Sequence, residues 1–342
     1  MSVVMQRNID AYNFLASEPV ASARIGQTPH AIVARAGAVT LRYFAPEKAL
    51  TRPVVISMPL INTWAIWDLT PETSLIGDLL RRGIPVYVID WGRPGRESEE
   101  LPLSHFIDTV LGRMFDRALR HARTVDTTVE KLDAIGYCVG GTFLTVYVAR
   151  NPGVVRKLAL VAAPIDFHAS GRLSTWAHPD NFPVDHAIDG LGNYPSEMMK
   201  SSFAWLRPMG QARKWFAVWE RAGDPAFRKL WASMERWSND AVDFPGEAYR
   251  EYVKRCYFDN AMMKGGWILG GTPVDLTKGT CPLLAIAAKD DHIAAPASVI
   301  GISKVWGGPV ETVTMKGGHV GISVTSALPE TLAKFFLGSA PQ

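Results

Sequence analysis

The feature that most constrains the fold is a short apolar run, residues 132–135, that leads directly into the sequence G-Y-C-V-G-G at 136–141. A helix-compatible stretch follows at 142–150. The spacing G-x-C-x-G is typical of a nucleophile elbow, a sharp turn from a strand into a helix, here with sulfur in place of the usual serine hydroxyl. Glycines are needed because a Cβ at either flanking position would collide with the neighbouring strand or helix. The pattern predicts that Cys138 lies at a helix N-terminus, where a thiolate is favoured; a buried structural cysteine is the alternative.

The rest of the chain alternates strand-like and helix-like runs around this turn. Residues 31–44 indicate a hairpin, and the apolar run 53–58 is typical of a strand buried on both faces of a parallel sheet. The further predicted elements are strands at 86–89, 155–162, 282–287 and 310–315, and helices at 73–82, from 104 onwards with Ser104 as N-cap, and at 330–337. This alternation predicts an α/β fold with a doubly wound, mainly parallel sheet.

The pattern breaks from about residue 165 to residue 278, where strand signals fade. Seven of the eleven Trp and six of the eleven Met fall in this segment. We expect three parts: a first core segment (1–164) with the elbow, an inserted, mostly helical cap (165–278), and a second core segment (279–342). The aromatic residues either form only the core of the cap or also line an apolar channel to the site.

Composition excludes several classes of protein. The formal charge of +3 indicates no nucleic-acid partner, and the composition is that of a soluble globular chain. Cys138, Cys256 and Cys281 have neither disulfide nor metal-ligand spacing, so we expect a reducing cytoplasm and no metal or redox cofactor. The first residues do not resemble a signal peptide, and no apolar run approaches the ~18 residues of a membrane span.

A cysteine nucleophile requires a base, because only the thiolate is a strong nucleophile. The α/β-hydrolase chain order places the acid and then the histidine on loops after the last strands. His319, in a glycine-rich loop after the strand 310–315, is the predicted base. Asp290 and Asp291 follow the strand 282–287, and the pattern alone leaves both open as the acid. Ordinary turn chemistry is the alternative for these loops.

A tetrahedral intermediate requires two backbone donors for its oxyanion. The N–H of Val139, directly after the nucleophile, is the first, and Ile61 or Asn62, in the loop after the strand 53–58, is expected to provide the second. Asp90 ends a strand and is either functional or a loop brace. A cysteine that attacks a thioester forms another thioester of nearly equal energy. This favours acyl transfer over hydrolysis if the cap excludes water.

Seven motifs together resemble the polyhydroxyalkanoate synthases, from about residue 53 onwards. The elbow G-Y-C-V-G-G-T resembles the modified lipase box of that family. The segment 59–71 is similar to its P-x-x-I-N-K-x-Y-x-x-D-L sequence, with Thr63 and Trp64 departing at the Lys and Phe/Tyr positions. Further similar segments are 86–94 (the D-W loop), 243–253 and 257–265 (the end of the cap), 289–296 (the acid loop) and 317–322 (the histidine loop).

The resemblance implies an α/β-hydrolase fold and a function. In that family the acid directly precedes His-Ile, which selects Asp291. The implied reaction polymerises (R)-3-hydroxyacyl-coenzyme A into a polyester, with release of coenzyme A (CoA), through a thioester on Cys138. The chain resembles in length the short members that work with a second, non-catalytic subunit. The implied partners are therefore that subunit or a second copy of the chain, and the surface of a polyester granule in the cytoplasm.

Two other functions remain open from the sequence. A hydrolase using the same site, such as an intracellular polyester depolymerase or a cysteine-type lactone or ester hydrolase, would share the motifs around the nucleophile. A granule-binding scaffold without activity would not depend on Cys138.

Overall fold

The computed structural model describes residues 2–338 and contains a central eight-stranded sheet in that range. The strands are β1 (Ala31–Ala36), β2 (Val39–Phe44), β3 (Val54–Ser57), β4 (Asp68–Thr70), β5 (Thr73–Ser74), β6 (Val86–Asp90), β7 (Leu132–Tyr137), β8 (Val155–Val161), β9 (Ile268–Leu269), β10 (Thr272–Pro273), β11 (Leu283–Ala288) and β12 (Val310–Met315). The α-helices are α1 (Val3–Ala16), α2 (Pro19–Ser22), α3 (Leu75–Arg81), α4 (Gly112–Val125), α5 (Cys138–Arg150), α6 (Arg172–Trp176), α7 (Val184–Leu191), α8 (Ser196–Leu206), α9 (Met209–Arg221), α10 (Pro225–Asn239), α11 (Gly246–Tyr252), α12 (Ala261–Lys264), α13 (Pro296–Ile300) and α14 (Ala327–Leu337). Two π-helical segments, His105–Leu111 and Val253–Phe258, precede α4 and follow α11.

The central sheet has the order β1-β2-β6-β3-β7-β8-β11-β12. The β1–β2 and β2–β6 pairs are antiparallel, and every pair from β6 to β12 is parallel. The carboxyl ends of β3, β7, β11 and β12 therefore meet at one edge of the sheet, as the α/β prediction requires. The fold class predicted from the sequence is confirmed.

The sheet forms where the sequence is apolar without alternation. All residues of β3, β7 and β11 are buried, because the strands are covered on both faces. Helix α5 is likewise buried from Cys138 to Ala149, so it is a core helix without a solvent face. The nucleophile turn is thus held between a fully buried strand and a core helix.

Helices α6–α12 lie between β8 and β11, in the segment expected to be a cap. Two hydrogen bonds tie this segment to the loop after β3. The N–H of Val242 donates to the carbonyl of Ile61 at 2.9 Å, and the indole of Trp237 donates to the carbonyl of Thr63 at 3.0 Å. A charged pair between Arg93 and Asp240 links the same segment to the loop after β6.

The predicted N-cap at Ser104 is wrong. Ser104 has helical dihedrals (φ −59°, ψ −32°), and its side chain makes no capping hydrogen bond. The N–H of Leu103 instead donates to the Glu251 carboxylate of α11 at 3.3 Å. A side chain distant in sequence therefore accepts one of the free N–H groups at the start of this helix.

Candidate active site

The turn from β7 into α5 holds Cys138 in a left-handed backbone conformation, with φ +52°. A non-glycine residue in this region stores about 1–3 kcal/mol of strain, which persists only when the surrounding structure imposes it. Cys138 is the first residue of α5, where the backbone N–H groups of the first turn have no partner within the helix. An anion on its sulfur therefore lies at the positive end of the helix dipole.

The glycines of the elbow allow three close backbone approaches. A Cβ on Gly136 would lie 2.3 Å from the Cα of Gly141, and a Cβ on Gly140 would lie 2.3 Å from the carbonyl oxygen of Met58. A Cβ on Gly141 would lie 2.6 Å from the Cβ of Ala163. None of these neighbours is the end of a flexible side chain, so glycine is required at each position.

The loops after β11 and β12 bring Asp291 and His319 together. His319 Nδ1 lies 2.7 Å from Asp291 Oδ2. The other carboxylate oxygen, Oδ1, accepts the N–H groups of Ile293 and Ala294 at 2.8 and 2.9 Å, and the Asp291 side chain is fully buried. Asp290 is exposed, and its side chain has no hydrogen bond within residues 2–338. The geometry therefore favours Asp291 over Asp290 as the partner of the histidine.

The charge state of His319 depends on its two acidic neighbours. Burial lowers the pKa of His319, but the negative charges of Cys138 and then of Asp291 raise it by more, so the pKa lies well above its ordinary value. Because Nδ1 faces Asp291, Nε2 is the ring nitrogen left for exchange of a proton with the thiol. The arrangement can store the proton of Cys138 on the imidazole.

Cys138 and His319 line one cavity of about 300 Å³, which we call the main cavity. Ile61 and Asn62, the predicted oxyanion residues of the loop after β3, line the same cavity. A second cavity of about 120 Å³ is lined by Cys138, Ile61 and Val139 together with residues of the segment 165–278. The structure thus brings all six predicted site residues to the same edge of the sheet.

Several residues that support the site were not predicted from the sequence. The hydroxyl of Tyr137 donates to the carbonyl of His319 at 3.2 Å, and the two rings stack with centroids 5.7 Å apart. Trp67 packs on Tyr137 and donates to Ser323 Oγ at 3.0 Å. Trp91, from the D-W loop, donates to the carbonyl of Met58 at 2.7 Å. The position of Tyr137 inside the elbow was the one sequence feature that could have indicated its role. The tryptophans contact residues far away in the chain, and no local pattern predicts such contacts.

The remaining candidates have structural roles. The carboxylate of Asp90 pairs with Arg42 at 2.8 Å and accepts the N–H of Gly92 at 3.2 Å, so it braces its loop. Burial raises the pKa of the Cys256 thiol well above its ordinary value and that of Cys281 to about 11. These two thiols are therefore protonated and unreactive at neutral pH.

Residues 2–338 contain neither a membrane-spanning helix nor a cluster of metal ligands. No helix in that range is long and apolar enough to cross a membrane. No cluster of three or more His, Cys, Asp or Glu side chains in the same range is suited to a metal ion.

Comparison of the sequence with known proteins identifies a family and several relatives. Residues 64–322 match a family model described as the alpha/beta hydrolase fold. The chain is 35% identical over 293 residues to the poly(3-hydroxyalkanoate) polymerase subunit PhaC of Allochromatium vinosum, covering 84% of this chain and 81% of that one. The corresponding subunit of Synechocystis is 32% identical over 82% of this chain and 75% of its own length. That of Haloferax mediterranei is 30% identical over 91% of this chain and 63% of its own length.

Solved structures with much lower identity share the fold. An alpha/beta hydrolase fold protein from Chitinophaga pinensis has a TM-score of 0.52 and 15% identity, and covers 92% of this chain and 98% of its own. A naproxen esterase from Bacillus subtilis has a TM-score of 0.50 and 16% identity, over 98% of this chain and 99% of its own. At these identities the likeness shows the architecture alone.

Proposed function

The chain belongs to the polyhydroxyalkanoate synthases of the α/β-hydrolase superfamily, and from this membership we propose how its residues carry out the polymerisation. The enzyme is an acyltransferase that joins (R)-3-hydroxyacyl-CoA units into a polyester and releases CoA. We assign Cys138 as nucleophile, His319 as base and then acid, and Asp291 as the group that orients the imidazole. The observation that carries this assignment is the convergence of Cys138 and the His319–Asp291 pair on one cavity.

Acylation begins with transfer of the Cys138 proton to Nε2 of His319. The resulting imidazolium is stabilised by Asp291. The carboxylate of Asp291 accepts a hydrogen bond from the Nδ1–H group and is itself fixed by two backbone N–H groups. The thiolate attacks the carbonyl carbon of the substrate thioester. The carbon–sulfur bond to CoA then breaks, and CoA leaves with the proton of the imidazolium. Cys138 now holds the hydroxyacyl group as a thioester.

The oxyanion formed in that attack requires donors. We assign the N–H of Val139 as the first donor and an N–H of Ile61 or Asn62 as the second. The carbonyl of Ile61 accepts from Val242, which fixes the loop relative to the segment 165–278. Trp91 fixes the preceding carbonyl of Met58. The two contacts hold the loop after β3 in place beside the nucleophile.

Chain growth uses the 3-hydroxyl of another unit in place of water. His319 takes the hydroxyl proton, the oxygen attacks the thioester on Cys138, and the bond from carbon to the Cys138 sulfur breaks. An ester bond results, and the thiolate recovers a proton from His319. We assign residues 165–278 as the cap that limits the access of water, because its aromatic residues line the cavity next to Cys138.

The partners follow from the relatives. The matched proteins of A. vinosum, Synechocystis and H. mediterranei are each named as a polymerase subunit. We therefore propose that this chain works with a second, non-catalytic subunit or as a homodimer, at the surface of a polyester granule in the cytoplasm. The test is the rate of polymer formation by the purified chain alone and after addition of a candidate subunit; an unchanged rate with each candidate and a monomeric state during turnover would contradict it.

A measurement of product partition tests the assigned reaction. The purified chain is incubated with (R)-3-hydroxybutyryl-CoA, and released CoA is compared with polymer and with free 3-hydroxybutyrate. We expect CoA release to be matched by polymer. Free acid in place of polymer would indicate the hydrolase, a function that the relatives do not favour. Equal CoA release by wild type and Cys138→Ala would indicate the inactive scaffold.

A further inference from the structure

Cys138 lies where two cavities of different character meet. The main cavity includes polar side chains such as Asn62, Lys200 and His319. The smaller cavity, which we call the tyrosine cavity, is lined mainly by aromatic and aliphatic side chains of the segment 165–278. The thioester carbonyl must sit at this junction to be attacked. The acyl group of the substrate and its CoA leaving group can therefore occupy different cavities.

Four tyrosines give the smaller cavity its name: Tyr194, Tyr249, Tyr252 and Tyr257. The four rings pack in pairs, Tyr194 on Tyr249 and Tyr252 on Tyr257, with centroids 4.2 and 5.7 Å apart. No carboxylate or backbone carbonyl within residues 2–338 accepts a hydrogen bond from any of the four. Even where the two hydroxyls of a pair share one hydrogen bond, one O–H of each pair remains to donate into the cavity.

The tyrosines are rigid and uncharged. The rings of Tyr194 and Tyr249 stack with centroids 4.2 Å apart, and Tyr252 packs edge-on against Phe143 and Phe167. Burial raises the pKa of Tyr249 and of Tyr252 well above the ordinary value and also raises that of Tyr257. The hydroxyls therefore stay protonated at neutral pH and remain hydrogen-bond donors.

Tyr252 and Tyr257 lie on the part of the lining that packs toward the nucleophile helix. Tyr252 packs edge-on against Phe143 of α5, the helix that begins at Cys138, and Tyr257 packs against Tyr252. Tyr249 packs instead against Phe182. An acyl group on Cys138 therefore shares its cavity with two hydroxyls on the α5 side and with aromatic walls beyond them.

We propose that the tyrosine cavity binds the acyl group carried by Cys138, and that Tyr252 and Tyr257 select acyl groups with an oxygen on the third carbon. The proposal rests on the proposed function and adds the residues that determine its specificity. Apolar walls match the carbon chain, and the two hydroxyls match the 3-oxygen. A buried site built to hydrogen-bond a substrate hydroxyl discriminates strongly against the analogue without it, because its polar groups are then left unpaired.

The size of the cavity limits the chain. An apolar cavity of about 150 Å³ accommodates benzene, and the tyrosine cavity has about 120 Å³. It therefore fits an acyl group of about four or five carbons, and longer groups would displace its walls. Phe182 is one of the residues that set this limit.

Single-turnover release of CoA tests the selection of the 3-oxygen. We expect wild type to acylate from 3-hydroxybutyryl-CoA on the order of 10²-fold faster than from butyryl-CoA, and Tyr257→Phe and Tyr252→Phe to reduce this ratio about tenfold or more by slowing the hydroxylated substrate. Tyr12→Phe, on exposed α1 outside both cavities, is the matched control and should retain the wild-type ratio.

Enlargement of the cavity tests its role in chain length. Phe182→Ala should raise the rate with 3-hydroxyhexanoyl-CoA relative to 3-hydroxybutyryl-CoA about tenfold. Phe216→Ala, at an exposed position of α9, should leave that ratio unchanged. If Phe182→Ala fails to fold, Phe182→Leu serves for the same comparison.

The outcomes distinguish failure of the proposed function from failure of the specificity proposal alone. If wild type releases no CoA from any of these thioesters, the proposed function fails and the specificity proposal with it. If wild type releases CoA but the tyrosine variants keep the full preference for the hydroxylated substrate, or Phe182→Ala keeps the wild-type chain-length ratio, the tyrosine cavity is not the acyl subsite and the proposed function stands.

Discussion

At Cys138, three independent features act on one sulfur atom. The backbone holds it at φ +52°, the N-terminus of α5 favours an anion, and His319 lines the same cavity with its ring fixed by Asp291. The sequence indicated each of these from a separate local pattern. It could not separate Asp290 from Asp291 by pattern alone, because that choice depends on how a loop turns after β11.

Replacement of the nucleophile by serine tests the role of sulfur. Cys138→Ser keeps the size of the side chain, so the fold should be retained, but a hydroxyl ionises far less readily than a thiol. We expect the rate of CoA release to fall by about 10²-fold or more. A serine variant as fast as wild type would show that the thiolate is not needed.

The role of Asp291 as the acid can be tested by comparison with the adjacent Asp290. Asp291→Asn removes the charge that holds the imidazolium and should lower the rate by on the order of 10³–10⁴-fold. Asp290→Asn, at the adjacent exposed position, should change the rate less than about twofold. Equal losses in the two variants would contradict the assignment of Asp291.

The raised pKa of His319 predicts a pH-dependent contribution to stability. Because the acidic neighbours raise the folded-state pKa above that of the unfolded chain, this contribution is fully present below about pH 6.5 and is lost as the pH rises through the folded value. The difference in the free energy of unfolding between wild type and His319→Gln, measured with denaturant, should therefore shrink as the pH is raised. A difference that grows toward alkaline pH would be inconsistent with a protonated, stabilised imidazole.

At the scale of elements, β3, β7 and α5 form one tightly packed unit. Their apolar runs and the elbow glycines are strong local signals, and the structure has these elements close to the predicted positions. The π-helical segments and the contact of Leu103 with Glu251 were not predictable, because they depend on packing between parts of the chain that are far apart in sequence.

A glycine-to-alanine substitution, which adds one methyl group, tests the packing of this unit. In Gly140→Ala the new Cβ would lie 2.3 Å from the Met58 carbonyl, so we expect unfolding free energy to fall by about 3 kcal/mol or more. Gly190→Ala in α7 has open space around the new Cβ and should be neutral or stabilising by about 0.5 kcal/mol. The free energy of unfolding of both variants is measured with denaturant. Similar values for the two would contradict the close approach of Gly140 to the Met58 carbonyl.

At the scale of the whole molecule, a parallel sheet brings distant loops to one edge and the helical segment 165–278 lines part of the site. The sequence predicted the sheet, and its composition marked this segment as distinct. It could not show that four tyrosines and Cys138 share a cavity, because their spacing in the chain has no regular pattern. Tyr137 and Trp67, which support the histidine loop, were missed for the same reason.

The most direct measurement is the mass of the intact protein after a single turnover with (R)-3-hydroxybutyryl-CoA, followed by identification of the modified peptide. We predict one hydroxyacyl group per chain, bound as a thioester to the peptide that contains Cys138, and none on Cys138→Ala. Release of CoA without this adduct, or an adduct on Cys256 or Cys281, would contradict the acyl-enzyme mechanism.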